Sequence, residues 1–343
     1  MPDITEAELK KQIKSGAFAR VYLLYGTENY LTRFYAEKIA EKAVTELPDL
    51  NLHQFDAAAR AEEIVSACEA LPVMSGLSCV MVCDYPFDTA AAGELDQLKG
   101  LLGDPPESCV LVFWYNHAAF SQKSAKSKAI AALIRKAGCV LPLDRREEGE
   151  LAQLLVKRAA RQGCTLQPTT ARYLISLCGA DLANLFSELD KLCVYVGNAA
   201  ITNRDVDAVA VKTVDASVFL LARAVSANNP DRAFGLIDEL FAQRAEPTAI
   251  LGALASAYVD MYRAKAAEAA GLRAESIADD FGYGRTAFRL KNGAAAARKV
   301  SVSTLRDCLA ALRRADLALK TSAADSRIIL EQTVMRLMLL MSA

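Results

Sequence analysis

No apolar run in this 343-residue chain is long enough to cross a bilayer, since a spanning helix needs about 20 such residues. The N-terminal Met-Pro-Asp-Ile-Thr-Glu has neither a basic n-region nor an apolar h-region, so no export signal is expected. There is no CxxC pair: the nine cysteines are an odd number, scattered singly or set in an apolar run, as free thiols of a reducing cytoplasm are. The two histidines, His53 and His117, are far apart and in no metal-ligand spacing. Neither GxSxG nor HExxH occurs. A phosphate loop is missing too. After the first apolar strand comes Gly26-Thr27-Glu28-Asn29-Tyr30-Leu31-Thr32-Arg33, without the second glycine or the lysine, and with Glu28 where it would repel phosphate. Asp84, following the run Cys79–Cys83, stands where a magnesium-binding acid would sit, but a lone Asp before a turn is ordinary turn chemistry. These absences argue against a membrane-spanning helix and point to a chain without catalysis or a cofactor of its own.

What is present is a chain long enough for two or three domains, 53% hydrophobic and 24% charged, as folded proteins are. Up to about residue 143 helices and strands alternate, which predicts a parallel sheet covered on both faces. A helix over Glu6–Lys14 precedes the strand Val21–Tyr25, and Leu31, Phe34, Tyr35, Ile39 and Ala40 mark the next helix. Leu52-His53-Gln54-Phe55 alternates like an edge strand. Cys79–Cys83 and Cys109–Trp114 are apolar on both sides, as central strands are, and a helix near Ser124–Lys136 leads to the last strand, Cys139–Leu141.

From residue 144 the periodicity is helical throughout. A small module over 144–212 carries the stripe Leu182, Leu185, Phe186, Leu189, Leu192, Cys193, Val196 and ends at Gly197. A second, alanine-rich set of helices fills 213–343; its last helix is apolar almost all round, which predicts burial among other helices, those of other subunits included. The net charge of −1 is uneven: from Val211 onward there are 18 Lys+Arg against 14 Asp+Glu. Between Tyr283 and Arg314 eight basic residues face one acid, Asp307. Arg285, Arg289, Lys291, Arg298 and Lys299 are therefore candidate phosphate contacts, the alternative being a solvated helical face. Glu275–Gly282 with the basic residues behind it also reads as a helix-turn-helix, which would make the chain a DNA-binding regulator.

One stretch bears on function most directly, Cys68-Glu69-Ala70-Leu71-Pro72-Val73-Met74-Ser75-Gly76. A helix through Ile64 and Cys68 must stop ahead of Pro72, which lacks an N–H and restrains the residue before it. Periodicity alone reads Val73 and Met74 as core residues on the approach to a strand. A loop between Pro72 and Gly76 would instead let both point outward.

Short segments in a consistent order carry a resemblance over essentially the whole chain. They are Val21-Tyr22-Leu23-Leu24-Tyr25-Gly26 with Glu28 and Tyr30-Leu31, then Gly179-Ala180-Asp181-Leu182 with Glu188-Leu189-Asp190-Lys191-Leu192, and Ser217-Val218-Phe219. Arg232-Ala233, Ala315-Asp316-Leu317-Ala318-Leu319-Lys320 and Asp325-Ser326-Arg327 complete the set. In these the chain resembles the delta-subunit family of the bacterial DNA polymerase III clamp loader. The resemblance implies an α/β plus all-α, AAA+-type architecture: a clamp-contacting α/β domain (1–143), a small helical domain (144–212) and a helical collar (213–343). It implies a non-catalytic subunit of a DNA-directed DNA polymerase assembly, a nucleotidyltransferase as a whole, that binds and opens the sliding clamp, the beta subunit. Delta-prime and tau/gamma subunits would be its neighbours and would bind the ATP, with primer-template DNA in the assembled complex. The family's clamp-binding positions fall on Leu71, Pro72, Val73 and Met74, where relatives usually present phenylalanine or leucine at the last two. An AAA+-like ATPase of DNA metabolism is the other reading of the same α/β pattern.

Overall fold

Five strands, four of them apolar runs and one alternating, pair into one parallel sheet in the order β2-β3-β4-β1-β5. The strands are β1 (Val21–Tyr25), β2 (Leu52–Phe55), β3 (Ser78–Cys83), β4 (Cys109–Trp114) and β5 (Cys139–Pro142). Every residue of β1 is buried, as are all but the last of β3 and β4, while β2 at the edge stays partly open. The burial pattern follows from composition: strands apolar on both sides can only sit inside, and the alternating one closes an edge. Register is set by Val21 opposite Leu111, Tyr22 opposite Cys139 and Leu52 opposite Cys79.

The computed structural model describes residues 3–284 and 288–342. They divide into two units, 1–151 and 152–343. In the first, helices α1 (Glu6–Ser15), α2 (Asn29–Ala43), α3 (Pro48–Asn51), α4 (Ala61–Glu69), α5 (Ala92–Gly103) and α6 (Ala125–Ala137) accompany the sheet. Thr5 and Glu8 close a capping box on α1, and Gly16 ends it in the left-handed conformation. Two of these helices go beyond what the pattern predicts. The four-residue α3 is too short for periodicity, and α5 buries Leu95, Leu98, Leu101 and Leu102 against the sheet.

The second unit holds α7 (Glu148–Arg161, crossing the division), α8 (Pro168–Cys178), α9 (Leu182–Val196) and α10 (Asn203–Val209). Here the expectation of helix throughout needs correction. Strands β6 (Thr165–Leu166) and β7 (Ala200–Ile201) form a two-residue parallel bridge that ties the chain before α8 to the chain before α10; two residues are too few for an alternation to register. The helices α11 (Val214–Ser226), α12 (Pro230–Ala242), α13 (Pro247–Ala269), α14 (Phe288–Ala296), α15 (Val302–Thr321) and α16 (Ser326–Ser342) follow. Val218, Leu236, Leu254, Leu312 and Leu337 belong to one core contributed by α11, α12, α13, α15 and α16. Helix α16 buries Ile329, Leu330, Val334, Leu337 and Met338, whereas Ile328, Met335 and Leu339 remain exposed, as does Leu317 on α15. Among the described residues no helix is long and apolar enough to cross a membrane.

One close approach fixes the end of β1. Gly26 has φ 146°, and a Cβ there would lie 2.0 Å from the carbonyl oxygen of Leu143. Gly26→Ala should therefore destabilise the fold by about 2–4 kcal/mol, since both the backbone conformation and the contact must give. Gly100, inside α5 with nothing within 4 Å of its Cβ position, serves as the control: Gly100→Ala should stabilise by up to about 1 kcal/mol. Urea denaturation followed by circular dichroism reads both, and equal midpoints for the two variants would contradict the packing described.

Candidate functional site

Helix α4 starts at an Arg60–Glu63 capping arrangement and ends at Glu69, with Ala70 already extended and its N–H bonded to the Ser66 carbonyl. The helix thus stops before Leu71, the residue that Pro72 excludes from the helical region. The chain then turns outward: Leu71 is 81% exposed, Val73 45% and Met74 81%. The core reading of Val73 and Met74 suggested by periodicity is corrected here. Met74 sits at φ 53°, a left-handed conformation that an unbranched side chain tolerates far better than a β-branched one.

An unforeseen residue fixes this loop. Asn51, fully buried at the end of α3, accepts from the Val73 N–H at 2.7 Å and donates to the Val73 carbonyl at 2.9 Å. Its amide also donates to the carbonyls of Glu46 (3.0 Å) and Leu47 (3.2 Å). The side chain so mimics a strand neighbour for a residue 22 positions away. No sequence spacing signals such a contact; a lone Asn before an edge strand reads as turn punctuation.

At the opposite ends of the strands, the two places where a nucleotide site would stand are engaged within the chain. The Thr27 N–H donates to the Asp144 carboxylate (3.2 Å) and the Glu28 N–H to the Leu143 carbonyl (3.0 Å). Asp84, at φ 56°, accepts the backbone N–H groups of Asn116 (2.8 Å), His117 (3.1 Å) and Ala118 (3.2 Å). Its turn role is the one observed. Among the described residues no group of three His, Cys, Asp or Glu side chains is placed to hold a metal.

The basic segment separates into distinct roles. Arg285 lies outside the described residues. Arg289 is turned inward: its guanidinium bonds the Asp260 carboxylate (2.9 Å) and the Ser256 hydroxyl (2.8 Å), and the Tyr283 hydroxyl donates to the same buried Asp260. Burial first, and the bond to Asp260 second, push the Tyr283 pKa up. Arg263 donates to the Tyr283 oxygen at 3.0 Å and stacks over Phe281 at 4.2 Å. Lys291, Arg298 and Lys299 are exposed. The helix-turn-helix expectation is corrected by the same region: Ala274–Ile277 is a four-residue 3-10 turn, and Ile277, Ala278, Tyr283 and Leu290 pack together behind it.

Burial works to raise the Asp84 pKa, but the three amide bonds outweigh it and hold the carboxyl below the usual aspartate range. A depressed folded-state pKa contributes stability that is fully present above the unfolded value, about pH 4, and is lost as pH falls through the folded one. Asp84→Ala should accordingly cost about 1–2 kcal/mol at pH 7. Denaturation curves from pH 7 down to pH 3 should show that difference shrinking with acid; a difference independent of pH would contradict the role given to the ionised carboxylate.

With this geometry in place, likeness to known proteins falls along the whole chain. The family model described as "DNA polymerase III, delta subunit" matches residues 22–142, and "DNA polymerase III delta subunit, C-terminal domain" matches 215–337. The chain is 23% identical over 337 residues to the DNA polymerase III subunit delta of Bacillus subtilis, covering 96% of this chain and 95% of that one. To the "Probable DNA polymerase III subunit delta" of Aquifex aeolicus it is 24% identical over 260 residues, 74% of this chain and 72% of the other. Among solved structures, the Bacillus subtilis DNA clamp loader delta protein shares the fold, with a TM-score of 0.62 at 23% identity over 97% of this chain and 99% of that one. Two models of one family cover both halves and a relative aligns nearly end to end; the chain belongs to the DNA polymerase III delta subunit family.

Proposed function

We propose that this chain grips and opens a ring-shaped sliding clamp, so that the clamp can be loaded onto primed DNA by a loader of which it is a part. Leu71, Pro72, Val73 and Met74 are the contact. The observation that carries this reading is the exposure of Leu71 and Met74, each 81%, on a loop whose backbone is pinned. Burying such side chains in a preformed pocket contributes roughly 1.5–3 kcal/mol each. A plug that fits the distorted ring better than the closed one shifts the clamp's population toward open.

In this reading the chain has no catalysis and no nucleotide of its own. The Thr27 and Glu28 amides, which would have to cradle phosphates, are committed to Asp144 and Leu143. ATP is bound by the tau/gamma neighbours. The exposed apolar residues of α15 and α16, Leu317, Ile328, Met335 and Leu339, suit packing against the collar helices of delta-prime and tau/gamma. The chain then works as three parts: clamp-contacting (1–143), small helical (144–212) and collar (213–343). Aspartate at both Val73 and Met74 should weaken clamp binding at least about 100-fold with the thermal midpoint unchanged, because two buried apolar contacts are replaced by charge. Wild-type affinity in that variant would overturn the assignment.

Lys291, Arg298 and Lys299 favour a phosphate contact with primer-template DNA in the assembled loader, being exposed in a stretch poor in acid. Replacing all three by glutamate should lower DNA affinity equally for unrelated sequences and flatten its salt dependence by about one unit of slope per lost contact. An unchanged salt slope would remove these residues from the interface.

A further inference from the structure

We propose that the clamp-facing surface is built from two segments: α3 and the Leu47 that leads into it form a second apolar edge beside Leu71–Met74, and Asn51 is the positioning residue that locks the two together. The proposal rests on the reading that the 71–74 loop receives the clamp, and extends that surface beyond the residues the sequence singles out.

Topology supplies the first reason. Strands β2 and β3 are parallel neighbours with Leu52 opposite Cys79, so the segments that lead into them emerge at the same end of the sheet. One is 47–51, the other 70–77. Asn51 joins them through both ends of its amide, the oxygen accepting from Val73 and the nitrogen donating to Val73, Leu47 and Glu46. An aspartate would lose the donors and a leucine would lose both.

Exposure and backbone geometry supply the second. Leu47, the residue before the four-residue helix, is 44% exposed, and Leu50 within it is 53% exposed. A single turn has little stability of its own, so this one owes its conformation to Asn51 and to Pro48 at its start. Leu47 has φ 47° and Met74 φ 53°; each segment thus carries one non-glycine residue in the left-handed region, each with a large apolar side chain in solvent. Conformations of that cost persist where the surroundings enforce them. The partner that fits is the one proposed for Leu71–Met74, because one buried side chain, Asn51, bonds the backbone of both segments. A surface fixed before binding spares the ordering cost that a mobile loop would incur.

The test is clamp affinity of the full-length chain, without nucleotide, for the wild type and for Leu50→Asp, Met74→Asp, Met74→Ala, Asn51→Ala and the Asn51→Ala/Met74→Ala pair. Leu50→Asp and Asn51→Ala should each weaken binding about 10-fold or more. If Asn51 acts through loop position, Met74→Ala should cost several-fold less in the Asn51→Ala background than in the wild type; additive effects would reduce Asn51 to a structural residue and overturn its role. Should Asn51→Ala fail to fold, Asn51→Asp, which keeps the acceptor for the Val73 N–H, replaces it with the same expectation. Wild-type affinity for Leu50→Asp beside lost affinity for Met74→Asp overturns the two-segment surface and leaves the 71–74 loop standing. Wild-type affinity for both overturns the clamp reading itself. Loss of a self-associated form on Leu50→Asp, with clamp affinity intact, would assign the patch to a second copy of the chain and overturn the proposal as well.

Discussion

The constraint on which the first unit depends is that β1, β3 and β4 have no exposed face. Strands apolar on both sides leave side-chain chemistry only at the sheet's two ends. At the carboxyl ends, where open α/β sheets ordinarily hold their ligands, this chain places its own groups: Asp84 on the amides of 116–118, and Leu143 and Asp144 on the amides of Thr27 and Glu28. Those contacts make the end of the sheet a structural seam. Apart from Phe34 on α2, the exposed large apolar residues of this unit lie at the amino ends of β2 and β3, which is why the proposed partner is a protein surface and not a small anion.

The second unit uses polar residues in the same economical way. Asp181 caps α9 through the Asn184 N–H, and buried Glu188 accepts the Val211 N–H at 3.0 Å while pairing with Lys191. Arg327 spans from Asp238 to Glu331 and stacks over Phe241. Three of the short segments that carry the family resemblance, those with Asp181, Glu188 and Arg327, thus hold a cap or a tie. The buried Asp260, shared by Tyr283 and Arg289, likewise anchors the turn that precedes the exposed Lys291, Arg298 and Lys299.

Much of this fold is legible in the sequence because its signals are local. Doubly apolar runs give the central strands, alternation gives β2, and Pro72 and Gly197 mark helix ends at the places observed. What escapes is either too short to show a period, as with α3 and the β6–β7 bridge, or decided at long range. Helix α5 carries a sound leucine stripe whose lining of the sheet core is settled by tertiary packing. Val73 and Met74 illustrate the limit best. Their apolar character predicts burial, and only the break at Pro72 together with the resemblance argues for exposure. Asn51 is invisible to pattern, since its meaning lies in a backbone 22 residues away.

The central claim, a clamp-binding chain that needs no nucleotide of its own, is most directly tested by titrating purified sliding clamp into the purified full-length chain in nucleotide-free buffer by isothermal calorimetry. The account predicts saturable binding whose affinity is unchanged by added ATP and magnesium. Absence of binding, or binding that appears only with ATP, would contradict it.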